Sequence, residues 1–288
     1  MIERKPLLGF LGITFSVSWT LFLLPLALQG LTPTSYQLTR QILWAAAMWG
    51  PGIAAIVATA AIARQPLRTL NLGRLGQLRY YFWALILPLL LSIAAGLFTV
   101  LFGLARFDGG LSLLTFSMAS FPETAAVDPW LIAGLQAILI FAFAPFINIL
   151  FTLGEELGWR GFLLPRLMPL GRWRAILISG LVWGFWHAPA VLQGLNYPEN
   201  PILGVPLMMV FCVLLGTILS WLYMKTSSPW APALAHGAIN AVAGLPILFL
   251  VPGFNQTFGG SLASMAGWIG LVMVVLFLVI GNKFPAGR

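Results

Sequence analysis

The stretch GEELGWRGF, residues 154 to 162, sets two carboxylates side by side at the end of an apolar run, in a chain with only 7 Asp and Glu residues among 288. Hydrolytic chemistry needs a base that activates water and donors aimed at developing negative charge. The chain's 2 histidines both lie in apolar surroundings, His187 in GLVWGFWHAPA and His236 in ALAHGAINAV. Glu156 and Arg160 stand four apart, in the order that favours an ion pair on one helix face. Glu155 is turned about 100° from Glu156 and so points elsewhere. One acid can therefore be structural while the other stays available. Trp183 shares a face with His187, and His236 shares one with Asn240. Three helices could thus converge a carboxylate, two imidazoles and an amide on one pocket.

Each residue alone has a plainer reading. Glu156 with Arg160 could be an interfacial ion pair. A single intramembrane histidine or Asn240 is commonly a satisfied link between helices, and Trp and Phe residues line cores and interface belts. Together the polar residues ask for one explanation, because both histidines and the one adjacent acid pair fall in the second half of the chain.

The elements that must position them follow from composition. With 60% hydrophobic residues, 8% charged residues and a mean hydropathy of +0.95, too little polar surface exists to cover a water-soluble domain. The chain reads as a single integral membrane domain, residues 1–288. Apolar runs fall at about 7–28, 42–63, 80–104, 130–153, 175–195, 203–224, 231–251 and 263–282, long enough to cross a bilayer and lacking strand alternation. The expected fold is an all-α bundle of about eight transmembrane helices, with a retained first span in place of a cleaved signal.

Placing both termini in the cytoplasm puts all of the 15 Lys and Arg residues except Arg40 and Arg106 on the inner side. That is the bias of the positive-inside rule. The net charge of +8 is then topological, with attraction to membrane lipid as a consequence and no call for nucleic acid. Asp108, Glu123, Asp128 and Glu199 are expected as solvated carboxylates in outer loops. Residues 105–129 form the largest of these loops. Cys212, the single cysteine, cannot form an intramolecular disulfide and reads as a packing residue.

The set EExxxR (Glu155, Glu156, Arg160), aromatic-xxx-His (Trp183, His187) and HxxxN (His236, Asn240) resembles the CAAX-protease and bacteriocin-processing (Abi) family of intramembrane endopeptidases, over a core of about residues 140–245. Trp183 departs from that family's usual Phe and keeps an aromatic ring. The resemblance implies that Glu155 acts as general base on water and His187 holds and polarises that water. His236 and Asn240 would stabilise the oxyanion, while Glu156 and Arg160 orient the site. It also implies a peptide or protein substrate attached to the membrane, of which a prenylated CAAX-type tail is one form.

Metal-free glutamate catalysis and a Zn2+ site built from Glu155, His187 and His236 both fit the residue types, although no HExxH helix is present. Two other classes remain open: a non-proteolytic immunity or peptide-binding scaffold, and a proton-coupled transporter. The expected place is a plasma membrane, with the active site facing the cytoplasm. A span ending near residue 153 would strand Glu155 at the interface, whereas His187 would lie roughly 20 Å deep. The fourth helix is therefore expected to kink at Pro145 and to continue through GWRGFLLPRL, leaving Arg160 in a wet cavity open to the cytoplasm.

Overall fold

A computed structural model describes residues 3–28, 30–120 and 127–285. Glu123 and Arg288, placed above in an outer loop and at the inner terminus, lie outside the described residues. The architecture is all-helical; among the described residues the one β contact is a single antiparallel bridge between Phe107 and Leu250.

Each of the eight apolar runs contains helix. The elements are α1 (Arg4–Ala27), α2 (Pro33–Ala47), α3 (Gly50–Val57), α4 (Arg79–Leu101), α5 (Ser112–Met118), α6 (Pro129–Ala142), α7 (Ala144–Glu156), α8 (Leu164–Leu167), α9 (Arg172–Trp186), α10 (Ala188–Leu192), α11 (Pro201–Thr226), α12 (Trp230–Val242) and α13 (Met265–Ile280). Five stretches are long and apolar enough to cross a membrane, or six if the pair Pro129–Ala142 and Ala144–Leu170 counts as one bent span. The expected count of eight is not reached by this measure. The fifth run is interrupted after Trp186, where Pro189 follows in the first turn of α10, and α13 has only 16 residues.

The fourth run bends by 43° at the break before α7, whose first turn holds Pro145. Proline has no N–H to give and crowds the preceding turn, so the chain changes direction there. Helix then continues through the acid pair, with Leu157–Leu163 in a π-helical turn before α8. The chain runs on as the sequence requires, and GEELGWR is helical throughout.

Glycines explain how this segment sits so deep. Gly154 and Gly158 are four apart on one face. A Cβ on Gly154 would come within 2.8 Å of the Met48 carbonyl oxygen, and one on Gly158 would strike Pro51. Gly52 answers from the other side, with 2.8 Å to the Gly154 carbonyl oxygen. Backbones meet here without side chains between them, the small-residue packing favoured where lipid supplies no hydrophobic drive. Gly180 and Gly184 let α9 approach Val213 and Met209 of α11 in the same way.

Of three charged residues, Asp108 departs from the solvated carboxylate expected of it, whereas Asp128 stays exposed as expected and, like Arg40, gains a local partner. Asp108 is buried, and its carboxylate accepts from the backbone N–H of Ser112 at 2.6 Å and Gly110 at 3.0 Å, holding the start of α5 inside the outer loop. Asp128 accepts from Trp130 N at 2.8 Å and caps α6, as helix starts favour. Arg40 lies within α2, its guanidinium 4.9 Å over the Trp44 ring. That helix begins at Pro33 because Thr32 caps it, accepting from Ser35 N, ahead of where apolarity alone marks a start.

The two ends of the bundle are distinct. One end gathers α1's start, the loop between α3 and α4, the turn after α8, the turn between α11 and α12, and the end of α13. Arg166 donates to Gln65, Ser228 to the Arg74 carbonyl, Trp230 to the Leu72 carbonyl and Arg172 to the Pro285 carbonyl. The opposite end gathers the loops around residues 105–111, 193–200 and 251–264. There Val251 N–H donates to the Arg106 carbonyl.

Candidate functional site

A cavity of about 440 Å³ lies between α2, α7, α9, α11 and α12. Its polar lining comprises Glu155, His187, His236 and Asn240, joined by Gln41 and Asn196. Trp44, Met208 and Phe211 are among its apolar walls. The structure thus brings together four of the six residues singled out from sequence. Glu156 and Arg160 stand behind the cavity wall.

Glu155 is 2% exposed. Its Oε2 accepts from the indole N–H of Trp183 at 2.7 Å and from that of Trp159 at 3.2 Å. Both bonds reach one oxygen, so Oε1 is the oxygen left for the cavity. The sequence marks neither tryptophan as more than a lining residue. Trp159 sits one turn beyond Glu155, a spacing that could have revealed it, whereas Trp183 reaches across from α9. A phenylalanine at 183 would keep the ring and lose the donor.

Glu156 is fully buried, and its Oε1 accepts from Arg160 Nη1 at 2.8 Å and from His236 Nδ1 at 2.9 Å. The pair is internal, and the interfacial reading is set aside by its burial. Arg160 is 1% exposed, with its guanidinium 4.4 Å over the Trp183 ring. It does not occupy a wet cavity: the ion pair is enclosed by packing. One buried pair therefore holds two other groups, His236 through the carboxylate and Trp183 through the cation.

His187 ends α9, and its Nδ1 lies 2.9 Å from the Trp183 carbonyl oxygen. A carbonyl only accepts, so Nδ1 carries the hydrogen and Nε2 holds a lone pair. His236 is set alike, with Nδ1–H toward Glu156 and Nε2 as the remaining ring nitrogen. Asn240 follows His236 by one turn on α12 and is exposed where His236 is buried. Trp186 also lines the cavity, its ring 4.7 Å from that of His187. Cys212 is fully buried, 3.9 Å from His187 Nδ1, consistent with packing.

The residue types considered for Zn2+ do not make a ligand set as arranged. Among the described residues no three His, Cys, Asp or Glu side chains are placed to hold a metal ion. The hydrogen bonds above leave Glu155 Oε1 and both imidazole Nε2 atoms over, so the donor types alone would suit an ion; it is the placement of the three groups that does not form a ligand set.

The cavity is closed toward the arginine-rich end and opens toward the other. Exposure rises along α12 from His236, 4% exposed, to Asn240 and Gly244, both exposed. Gln41, Asn196 and Ala263 complete the lining at that opposite end. Behind Glu155, Trp159, Phe162, Phe10 and Leu70 are fully buried, with the Phe10 and Phe162 rings stacked at 4.7 Å.

Residues 130–242 match the family model described as Rce1-like, Type II CAAX prenyl endopeptidase Rce1-like. No curated protein matches the sequence.

Proposed function

We propose that the chain, whose residues 130–242 match the family model of Rce1-like Type II CAAX prenyl endopeptidases, is an endopeptidase that hydrolyses a peptide bond of a membrane-attached substrate inside the cavity described above. The observation that carries the reading is the meeting of Glu155, His187, His236 and Asn240 around one chamber. Charged and polar groups of this kind are costly inside a bilayer, about 2.5–3.5 kcal/mol at a helix centre for a charged residue on insertion scales, and are kept where they do something.

In this reading Glu155 Oε1 takes a proton from a water whose other O–H donates a hydrogen bond to His187 Nε2 and keeps its hydrogen. The hydroxide adds to the scissile carbonyl carbon, and the C=O electron pair moves to oxygen. Asn240 Nδ2–H donates to that oxyanion. His236 donates from Nε2 when protonated, its charge balanced by Glu156 behind it. The C–N bond then breaks, and the proton on Glu155 passes to the leaving amine. The two indoles keep the base in one rotamer, and the enclosed walls keep bulk water from screening these interactions.

A purified full chain in liposomes, given a library of membrane-tethered peptides, tests the reading. Cleavage that Glu155→Gln abolishes supports it. Cleavage that survives in the variant, or none with any peptide, sinks it.

A further inference from the structure

Resting on the peptidase reading of this cavity, we infer that its mouth opens on the non-cytoplasmic side of the membrane, so that its substrate class is a membrane-anchored peptide whose scissile segment is displayed outside the cytoplasm.

Charge sets the orientation. Arg4, Lys5, Arg64, Arg68, Arg74 and Arg79 lie at one end of the bundle, in the tail before α1's second turn and in the loop leading into α4. Arg166, Arg172, Arg174, Lys225 and Lys283 join them at the ends of α8, α9, α11 and α13. Only Arg40 and Arg106, among the described cations, belong to the other end. A bias this strong fixes the basic end in the cytoplasm.

Packing then decides which side reaches the chamber. The segment 67–74 crosses the basic end as a strap. Leu70 is fully buried, and Asn71 Nδ2 donates to the Tyr223 hydroxyl at 3.3 Å. The Leu72 carbonyl accepts from Trp230 at 2.8 Å, and that of Arg74 from Ser228 at 2.5 Å. At the other end Gln41, Asn240 and Gly244 are exposed lining residues. The rim there is built and pinned: Tyr197 hydroxyl donates to the Ala263 carbonyl at 2.8 Å, and Asn200 to Thr257 at 3.1 Å. A peptide can approach Glu155 along α2 and α12 from this end without displacing a buried side chain of the strap.

The test is thiol labelling of the full chain in intact cells with a membrane-impermeant maleimide, with fully buried Cys212 as the baseline. Gln41→Cys should label at least tenfold above that baseline in intact cells, and Arg68→Cys only after permeabilisation. Glu199→Cys, in the exposed rim loop, repeats the first measurement if the Gln41 variant fails to insert. Labelling of Arg68→Cys in intact cells, or protection of both rim positions there, overturns the inference. Failure of the peptidase reading is separate: it would show as cleavage surviving Glu155→Gln while the labelling pattern stands.

Discussion

Trp183 donates its indole N–H to Glu155 at 2.7 Å across 28 positions of chain. The bond joins α9 to α7 at the cavity and leaves the second oxygen of the carboxylate without an indole donor. The same indole carries Arg160 on its face at 4.4 Å, so one side chain touches both Glu155 and the ion pair behind it.

Trp183→Phe separates these two contacts, since it keeps a ring for Arg160 and removes the donor. A hydrogen bond to a charged group is worth about 1.5–3 kcal/mol, so kcat should fall by roughly 10- to 150-fold with little change in KM. Steady-state cleavage of a tethered peptide by the variant checks this; an unchanged kcat would remove the indole from the mechanism.

Glu155→Gln preserves shape and the acceptor for both indoles but cannot take a proton. Turnover should drop by about 10²–10⁴-fold, with the thermal unfolding of the detergent-solubilised protein unmoved. Asn240→Ala should cost about 10²–10³-fold, since it withdraws a donor from the oxyanion and leaves the base in place.

Arg160→Met leaves Glu156 buried with His236 as its one remaining hydrogen-bond partner. Stripping one member from a buried pair destabilises by about 3–5 kcal/mol. The double change Arg160→Met with Glu156→Gln should recover part of that loss. Denaturation of the three variants in detergent measures the coupling, and additive losses would contradict the pairing.

How much of this was legible in the sequence depends on whether the signal was local. Spacing of four residues put Glu156 with Arg160 and His236 with Asn240 on shared faces, and the helices keep those pairings. A proline at 145 marked the bend. Contacts between helices left no local trace: nothing in GEELGWRGF announces that Glu156 serves His236, 80 positions away, or that Trp183 serves Glu155. Apolarity alone misses the start of α2, because Thr34, Ser35, Gln37 and Arg40 hide an amphipathic first half from a hydropathy window. The end that carries the mouth was not legible, because hydropathy gives the course of each span but not which loops plug the bundle.

Asp108 offers a pH test away from the membrane interior. Hydrogen bonds from Ser112 foremost, then from Gly110 and Leu111, hold its carboxyl below the usual carboxylate range. A group lowered in the folded state adds stability that is present above its unfolded value, about 3.9, and lost as pH falls through its folded one. Amide exchange in residues 108–118 should therefore be slow near neutrality and accelerate as pH drops below about 4, after correction for the intrinsic rate. Asp108→Asn should show the faster exchange already at neutral pH.

Gly154→Val would force a branched side chain against the Met48 carbonyl and Trp49. Overpacking of this kind costs about 1–3 kcal/mol and would push Glu155 off its indole donors. Cleavage should fall further than the Tm shift alone explains, because the base moves with the backbone.

The strap across residues 67–74 has a last consequence for traffic. A chamber open at one end takes in and releases through the same doorway. Both halves of a severed chain have to back out the way the intact one came in, so departure of the fragments, and whichever keeps its greasy anchor in particular, is the step where such a molecule would queue.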